Sequence, residues 1–441
     1  MKKILLAAVM ALFMISSCNK ADINNNFLEE GSEATLDLVI SFPATRAADS
    51  HATTDETKVT TVTVFVFNPD GTMAKMNTGN VPLTFTVSSD FTAGADNTYS
   101  LNQARRITST SGLKHIYVGV NLPSSLNVST ITNVSDLLGE YATTVANLTS
   151  SATGFAMLSA VKEATLLSQE AGSTPTVNKV TVQVERLVAK VTARKAASPS
   201  TGTFAKGFTI QPDQFTVSNV GTHIYPIQQF DASGNLKSPM KNSTAVGTLT
   251  SLNENGTTTV ASRSLYVNEY RPGVSYLRRE ATNVVVRGAL SLSGFAFVDG
   301  SDVLQITGTP TIVGGEVFMV KDATNTYFCK DVADAVAVET KIGASGITKY
   351  TAASDGKIYF FYYIFLNENE TDAYAIYRNQ YIDLTIGQVR GVGYPGDPVT
   401  PDQPATLIPD PDLPLIETAA YLEVIVDVKN WAYKSSAVTL D

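Results

Sequence analysis

Along most of the chain apolar and polar residues alternate with period two, the pattern of strands with one face buried. In ATLDLVISF, Leu36, Leu38, Ile40 and Phe42 fall on one face and Asp37, Val39 and Ser41 on the other. In KVTTVTVFVF, Val62, Val64 and Val66 share a face, and the Asn68-Pro69-Asp70-Gly71 that follows is a turn by its own chemistry. HIYVGVNLP repeats the pattern with Ile116, Val118, Val120 and Leu122, and VTVQVERLVAKVTA, TNVVVRGALSL, EVFMVKD, KIYFFYYIFL and YIDLTIGQV continue it. The chain reads as an all-β protein.

One segment has helical spacing instead. With Ser135 as N-cap, Leu137, Leu138, Tyr141, Val145 and Leu148 would share a helix face packed on a sheet. Loop chemistry at GSTPTVN, residues 172–178, and at ASPSTGT, residues 197–203, sets two possible domain breaks. The first is adopted, giving an N-terminal domain over 47–175 and a C-terminal domain over 176–393. From 394 to 418 runs an arm with seven prolines between Pro395 and Pro414. Proline cannot pair in a central strand, so an extended arm of roughly 60 Å, at about 3.1 Å per residue, is expected, able to leave its own domain. In the last region, 419–441, Leu422, Val424, Val426 and Val428 again line one face, with Trp431, the sole tryptophan, just after. A strand on such a leash suits a partner elsewhere, the alternative being a last strand paired within its own domain.

The first residues change the setting. MKKILLAAVMALFMISSC places Lys2 and Lys3 before an apolar run too short to span a bilayer, as in a secretory signal over 1–17. Ile15-Ser16-Ser17-Cys18 looks like a lipobox, so Cys18 is the expected lipid attachment site and the chain is expected to start out tethered to a membrane surface. The only other cysteine is Cys329, so an acylated Cys18 leaves no intramolecular disulfide, and Cys329 is expected as a small buried strand residue.

Charge narrows the partners. The net charge is −9, and removing residues 1–46, with four basic and five acidic groups, would leave −8. No basic patch interleaved with aromatics occurs, which argues against nucleic acid. His51, His115 and His223 lack metal-ligand spacing, so no metal site is expected. Gly391-Val392-Gly393-Tyr394-Pro395-Gly396 spells a dinucleotide fingerprint, but Pro395, Pro398 and Pro401 forbid the helix it needs. Asn367 to Asp372 lacks calcium-loop spacing and reads as a solvated hairpin tip. No cofactor and no catalytic residue is singled out, and the chain is read as non-enzymatic.

Directly after the first strand, FPATRAADS sets Arg46 among small residues before Ala47. Cutting there would separate one whole strand from the rest, whereas cuts at Arg105-Arg106 or Arg278-Arg279 would nick a domain in its middle. An ordinary exposed arginine is the alternative. Loss of the strand would expose unpaired backbone and an apolar groove, a template for β-augmentation. The vacated row Leu36, Leu38, Ile40, Phe42 matches the row Leu422, Val424, Val426, Val428 in number and spacing.

Taken in order, the lipobox, the strand ending in Thr45-Arg46-Ala47, IYVGVN, FAMLS at 155–159, VERLVAKV at 184–191, TNVVVRG at 282–288, YRNQYIDLTIGQVRGVG at 377–393 and a final strand closing in NWA resemble the fimbrillins. These are the major and minor subunits of type V pili of Gram-negative anaerobes. The resemblance implies two transthyretin-like β-sandwich domains in tandem, with the short helix in the N-terminal one. It implies a precursor carried as a lipoprotein to the outer membrane with a lipidated propeptide over 18–46, cleavage between Arg46 and Ala47 by an Arg-specific protease, and replacement of the lost strand by the C-terminal strand of a neighbouring copy or another pilin. The long proline arm departs from a stalk subunit. Competing readings are an anchor or tip adhesin of the same pilus, a glycan-binding surface lipoprotein, and an enzyme.

Overall fold

A computed structural model describes residues 31–42, 53–77, 79–94, 98–168, 177–239, 246–253, 263–273, 277–308, 310–312, 315–366, 374–406, 410–413, 415 and 422–430. Cys18, Arg46, Ala47, the 367–372 tip and Trp431 lie outside these. Strands dominate, as the alternation predicts.

The first lobe is a ten-stranded arrangement in which Leu83–Thr86, Thr61–Phe67, Gly112–Val120, Met157–Ser159, Val177–Arg186, Glu33–Ser41, Thr98–Leu101 and Phe91–Ala93 follow one another. Lys162–Leu166 pairs along Gly112–Val120, and Ile107–Thr110 along Glu33–Ser41. Inward positions from all these strands enter one core, including Leu36, Leu38, Ile40, Val62, Val64, Val66, Ile116, Val118, Val120, Val180, Val182 and Val184. Phe65 and Phe67, on the other face of Thr61–Phe67, are buried too, so both faces of that strand are covered.

The second lobe is a sandwich. One sheet runs Ser264–Asn268, Val188–Thr201, Gln380–Val389, Leu422–Asn430, and the other runs Thr250–Ser251, Phe208–Ser218, Asn283–Leu292, Tyr359–Phe365, Tyr394–Pro395. Val191, Ala193, Ile382, Leu384 and Ile386 of the first share a core with Phe215, Val284, Val286, Phe360 and Tyr362 of the second. A further sheet of Ala205–Lys206, Thr326–Cys329, Glu316–Lys321 and Ile347–Thr351 carries the helix Val332–Ile342. Cys329 lies fully buried beneath that helix with Ala335 and Val338, where burial pushes its thiol up to about 12.

Three expectations are corrected. The helix read from Ser135 to Leu148 forms as two single turns, Val134–Leu137 capped by Asn133 and Val145–Leu148 capped by Thr144. Between them Tyr141–Ala142 pairs with His223–Ile224, whose Ile224 joins the first core, a long-range pairing that overrides the local spacing. The break at 175/176 moves toward the C-terminus: Val177–Arg186 belongs to the first sheet, and the change of core falls between Val188 and Ala189. The proline segment over 394–406 is no extended rod. It folds back as a hairpin in which Asp397 N donates to Gln403 O and Ala405 N to Pro395 O, both at 2.9 Å. The Asp397 carboxylate closes the turn by accepting from Val399 N and Thr400 Oγ1, both at 2.8 Å. Pro395 sits in the edge pair with Phe360, where the next amide, Gly396 N, makes the bond to Tyr359 O. A Cβ at Gly393 would lie 2.6 Å from Phe361 O, so that glycine permits the close approach of the two backbones.

Candidate functional site

The strand Glu33–Ser41 is not at an edge. On one side it runs parallel to Val177–Arg186, from Thr35 opposite Val177 to Ser41 opposite Gln183. On the other it is antiparallel first to Ile107–Thr110 and then to Thr98–Leu101. Leu36, Leu38 and Ile40 are fully buried, and half-buried Phe42 packs edge-on against Tyr99 at 5.6 Å. Asp37 on the opposite face meets Arg106 at 3.3 Å, so neither half of the Arg105-Arg106 pair is idle: Arg105 binds Asp90 at 2.8 Å.

The neighbouring strand depends on this one. Val177 to Gln183 pair with Glu33–Ser41, while Val184 to Arg186 pair with Met157–Ser159. Among the described residues no other strand pairs with Val177 to Gln183. Asn178 ties the start, its Nδ2 donating to Thr35 O and Leu167 O, both at 3.0 Å. Taking Glu33–Ser41 away would therefore leave a slot walled by Val177–Arg186 on one side and by Ile107–Thr110 and Thr98–Leu101 on the other. The residues joining this strand to Thr53, where the described chain resumes, include Arg46 and Ala47.

The C-terminal strand Leu422–Asn430 lies at the edge of the second lobe's sheet, antiparallel to Gln380–Val389, with Val424 opposite Ile386, Val426 opposite Leu384 and Val428 opposite Ile382. Leu422 and Val424 pack on the second core, and Ile425 between them and Val426 points out, 66% exposed. In this single chain the strand pairs at home, the alternative weighed from the sequence.

Between the lobes lies a buried polar cluster that the strand pattern does not reveal. Thr53 and Glu56 close a capping box on the turn Thr54–Thr57, the first element after the Arg46 link. Glu56 Oε1 then meets Lys190 Nζ at 2.8 Å and accepts from Tyr266 Oη at 2.6 Å. Burial and then the Glu56 charge hold the Tyr266 hydroxyl well above its ordinary range. Arg186, the last residue of the slot wall, donates through Nε and Nη2 to Glu56 O at 3.2 and 3.1 Å. Tyr381 stands under Lys190 Nζ at 5.6 Å and shares a 3.0 Å bond with Thr192. Beside it Arg378 pairs with buried Glu269 and donates to Pro226 O at 2.5 Å. VERLVAKV and YRNQYIDLTI thus converge on the lobe junction. The legible trace of this cluster is the Thr-x-x-Glu capping box at 53–56.

Residues 34–207 match the family model described as major fimbrial subunit protein (FimA). Residues 351–436 match that of major fimbrial subunit protein type IV, fimbrillin, C-terminal. No curated protein matches the chain. Among solved structures, a fimbrilin from Porphyromonas gingivalis is 14% identical, with 90% of this chain and 98% of that one covered and a TM-score of 0.45. The tip fimbrial protein Mfa3 of the same organism is 12% identical, covering 90% of this chain and 100% of that one, at 0.43. A proposed cell adhesion protein from Parabacteroides distasonis is 14% identical, covering 91% and 100%, at 0.48. The two matched models span more than half of the sequence, and this chain belongs to the fimbrillin family of fimbrial subunits.

Proposed function

We propose that this fimbrial subunit is a non-enzymatic shaft protein that assembles by exchanging strands. The precursor carries lipid on Cys18 and is held at the outer membrane. An Arg-specific protease cuts between Arg46 and Ala47, the segment 18–46 leaves with its strand, and the C-terminal strand of another copy or pilin, through Leu422, Val424, Val426 and Val428, fills the slot. The mature body then consists of two lobes that divide near Val188, at the cell surface.

One observation carries this reading: Glu33–Ser41 is an interior strand whose large side chains Leu36, Leu38 and Ile40 are fully buried, joined to the rest of its lobe through the link that contains Arg46. Each such side chain contributes about 1.5–3 kcal/mol by burial. Its loss weighs heavily against a whole-domain margin of about 5–15 kcal/mol. An opened lobe must therefore recruit a substitute of the same pattern, and until the cut the precursor's own strand blocks that recruitment.

The test is Arg46→Ala. The variant should accumulate as folded, monomeric precursor that resists the protease at this site, while wild type yields fibres whose subunits begin at Ala47. Normal fibres from the variant, or fibres that retain residues 33–41, would reject the proposal.

A further inference from the structure

The arm between the second lobe and its last strand has two parts that are held differently. The proximal part is the hairpin over 395–405, fixed by its own backbone bonds. Asp402 binds Arg287 Nη1 at 2.6 Å. Arg287 is itself held by Asp213, at 2.6 and 3.2 Å, and lies 4.1 Å over the Tyr359 ring. Tyr363 Oη adds a bond to Thr406 O at 3.0 Å.

The distal part, 410–413 and Leu415, is held at separate points. Arg278 N donates to Leu413 O at 3.1 Å and Arg279 N to Pro411 O at 3.2 Å. Asp410 meets Arg278 at 3.5 Å, and Asp412 pairs with Arg279 at the surface. Leu415 is buried with Ala281 and Tyr374. Its one internal backbone bond is the turn in which Leu413 N donates to Asp410 O at 3.0 Å, against the two cross-strand bonds and the Asp397 cap of the hairpin.

Resting on the strand-exchange reading, we propose that residues 410–413 and Leu415 form a releasable catch. Closed, it keeps the C-terminal strand on its own lobe; open, with the hairpin still anchored, it gives the strand the reach to enter a second copy of this chain. From Leu415 to Leu422 the tether extends at most about 23 Å, and from Thr406 to Leu422 about 50 Å. A lobe of this size is about 40 Å across, so only the open tether clears one. Opening also lengthens the loop that must close for the strand to return home, which lowers its effective concentration there.

The experiment uses the full precursor and follows hydrogen exchange at the amides of 422–430. Asp410→Asn with Asp412→Asn removes both surface charges and leaves the buried side of the catch intact. Exchange should rise about twofold to tenfold, as expected for two partly exposed ion pairs. Leu415→Ala, which attacks the catch by a different route, should raise it by at least about tenfold. Raising salt from 0.1 to 1 M should speed exchange in wild type and leave the double Asn variant nearly unchanged. Asp402→Asn should have little effect on 422–430. After cleavage, both catch variants should polymerise faster than wild type.

Unchanged exchange in both catch variants overturns the proposal, and faster exchange without faster polymerisation overturns its gating step. If no protein polymerises after cleavage, wild type included, while the exchange gains persist, the strand-exchange reading fails and only the home-docking contact survives.

Discussion

Lys190 Nζ lies 2.8 Å from Glu56 Oε1, and neither side chain exposes any surface. One partner sits in the first turn after the Arg46 link and the other in the strand that opens the second lobe. The pair therefore ties the two lobes together where processing would create a new chain end. Removing Ala47 to Ala52 from its former strand would leave this tie untouched, because Glu56 is also held by Tyr266 and, through its carbonyl, by Arg186.

Breaking one side of that pair should be costly. Lys190→Met leaves the Glu56 carboxylate buried without its cation, a change of about 3–5 kcal/mol. Urea denaturation should register it as a lower midpoint. The double variant Glu56→Gln, Lys190→Met should recover a large part of the loss, since the penalty lies in the unpaired charge.

The slot wall offers a second prediction. Because Val177 to Gln183 pair with the first strand and Val184 to Arg186 with Met157–Ser159, excision should loosen the two stretches unequally. Amide exchange in 177–183 should accelerate strongly in freshly cleaved subunits, with 184–186 remaining protected. Protection of 177–183 should return on polymerisation. Uniform protection throughout would mean that the wall does not depend on this strand.

A substitution within the first strand separates precursor from polymer. Leu38 is fully buried, so Leu38→Ala should destabilise the precursor by about 2–5 kcal/mol. On the strand-exchange proposal the fibre should be unaffected, since the altered residue would leave with the excised segment. Thermal melts of precursor and of fibre, wild type against variant, make the comparison.

These contacts also show what a sequence can and cannot convey. Leu36, Leu38 and Ile40 were readable because period-two alternation is a local property that burial then follows. The helix Val332–Ile342 was not, because Val332 and Val336 are exposed while Ala335 and Val338 are buried, which blurs the apolar stripe. Its caps, Asp331 and the left-handed Gly343, were the available signal. The segment 135–148 misled because Gly139 and a second cap at Thr144 divide it, and a strand some eighty positions away claims Tyr141 and Ala142. The arm was read from proline count alone, which missed the turn that Asp397 closes. Glu56 and Lys190 meet across 134 positions, a distance at which spacing carries no information.

Cys329 provides the last prediction. It is fully buried beneath the helix Val332–Ile342, and burial raises its thiol from 9.0 to about 12, with Asp334 and Asp331 adding to the effect. At pH 8 only about one native molecule in ten thousand would carry the thiolate, the form that alkylating reagents attack. The native protein should thus resist iodoacetamide at pH 8, and label promptly in denaturant. The sign of the linkage follows from the raised value: the neutral thiol is favoured in the folded state, so this stabilisation is complete below pH 9 and is lost as pH rises toward about 12. Cys329→Ser would put a hydroxyl in the same apolar pocket and lower the denaturation midpoint, whereas Cys329→Ala should cost less. Rapid labelling of native protein at pH 8 would show that the helix opens readily over this sheet.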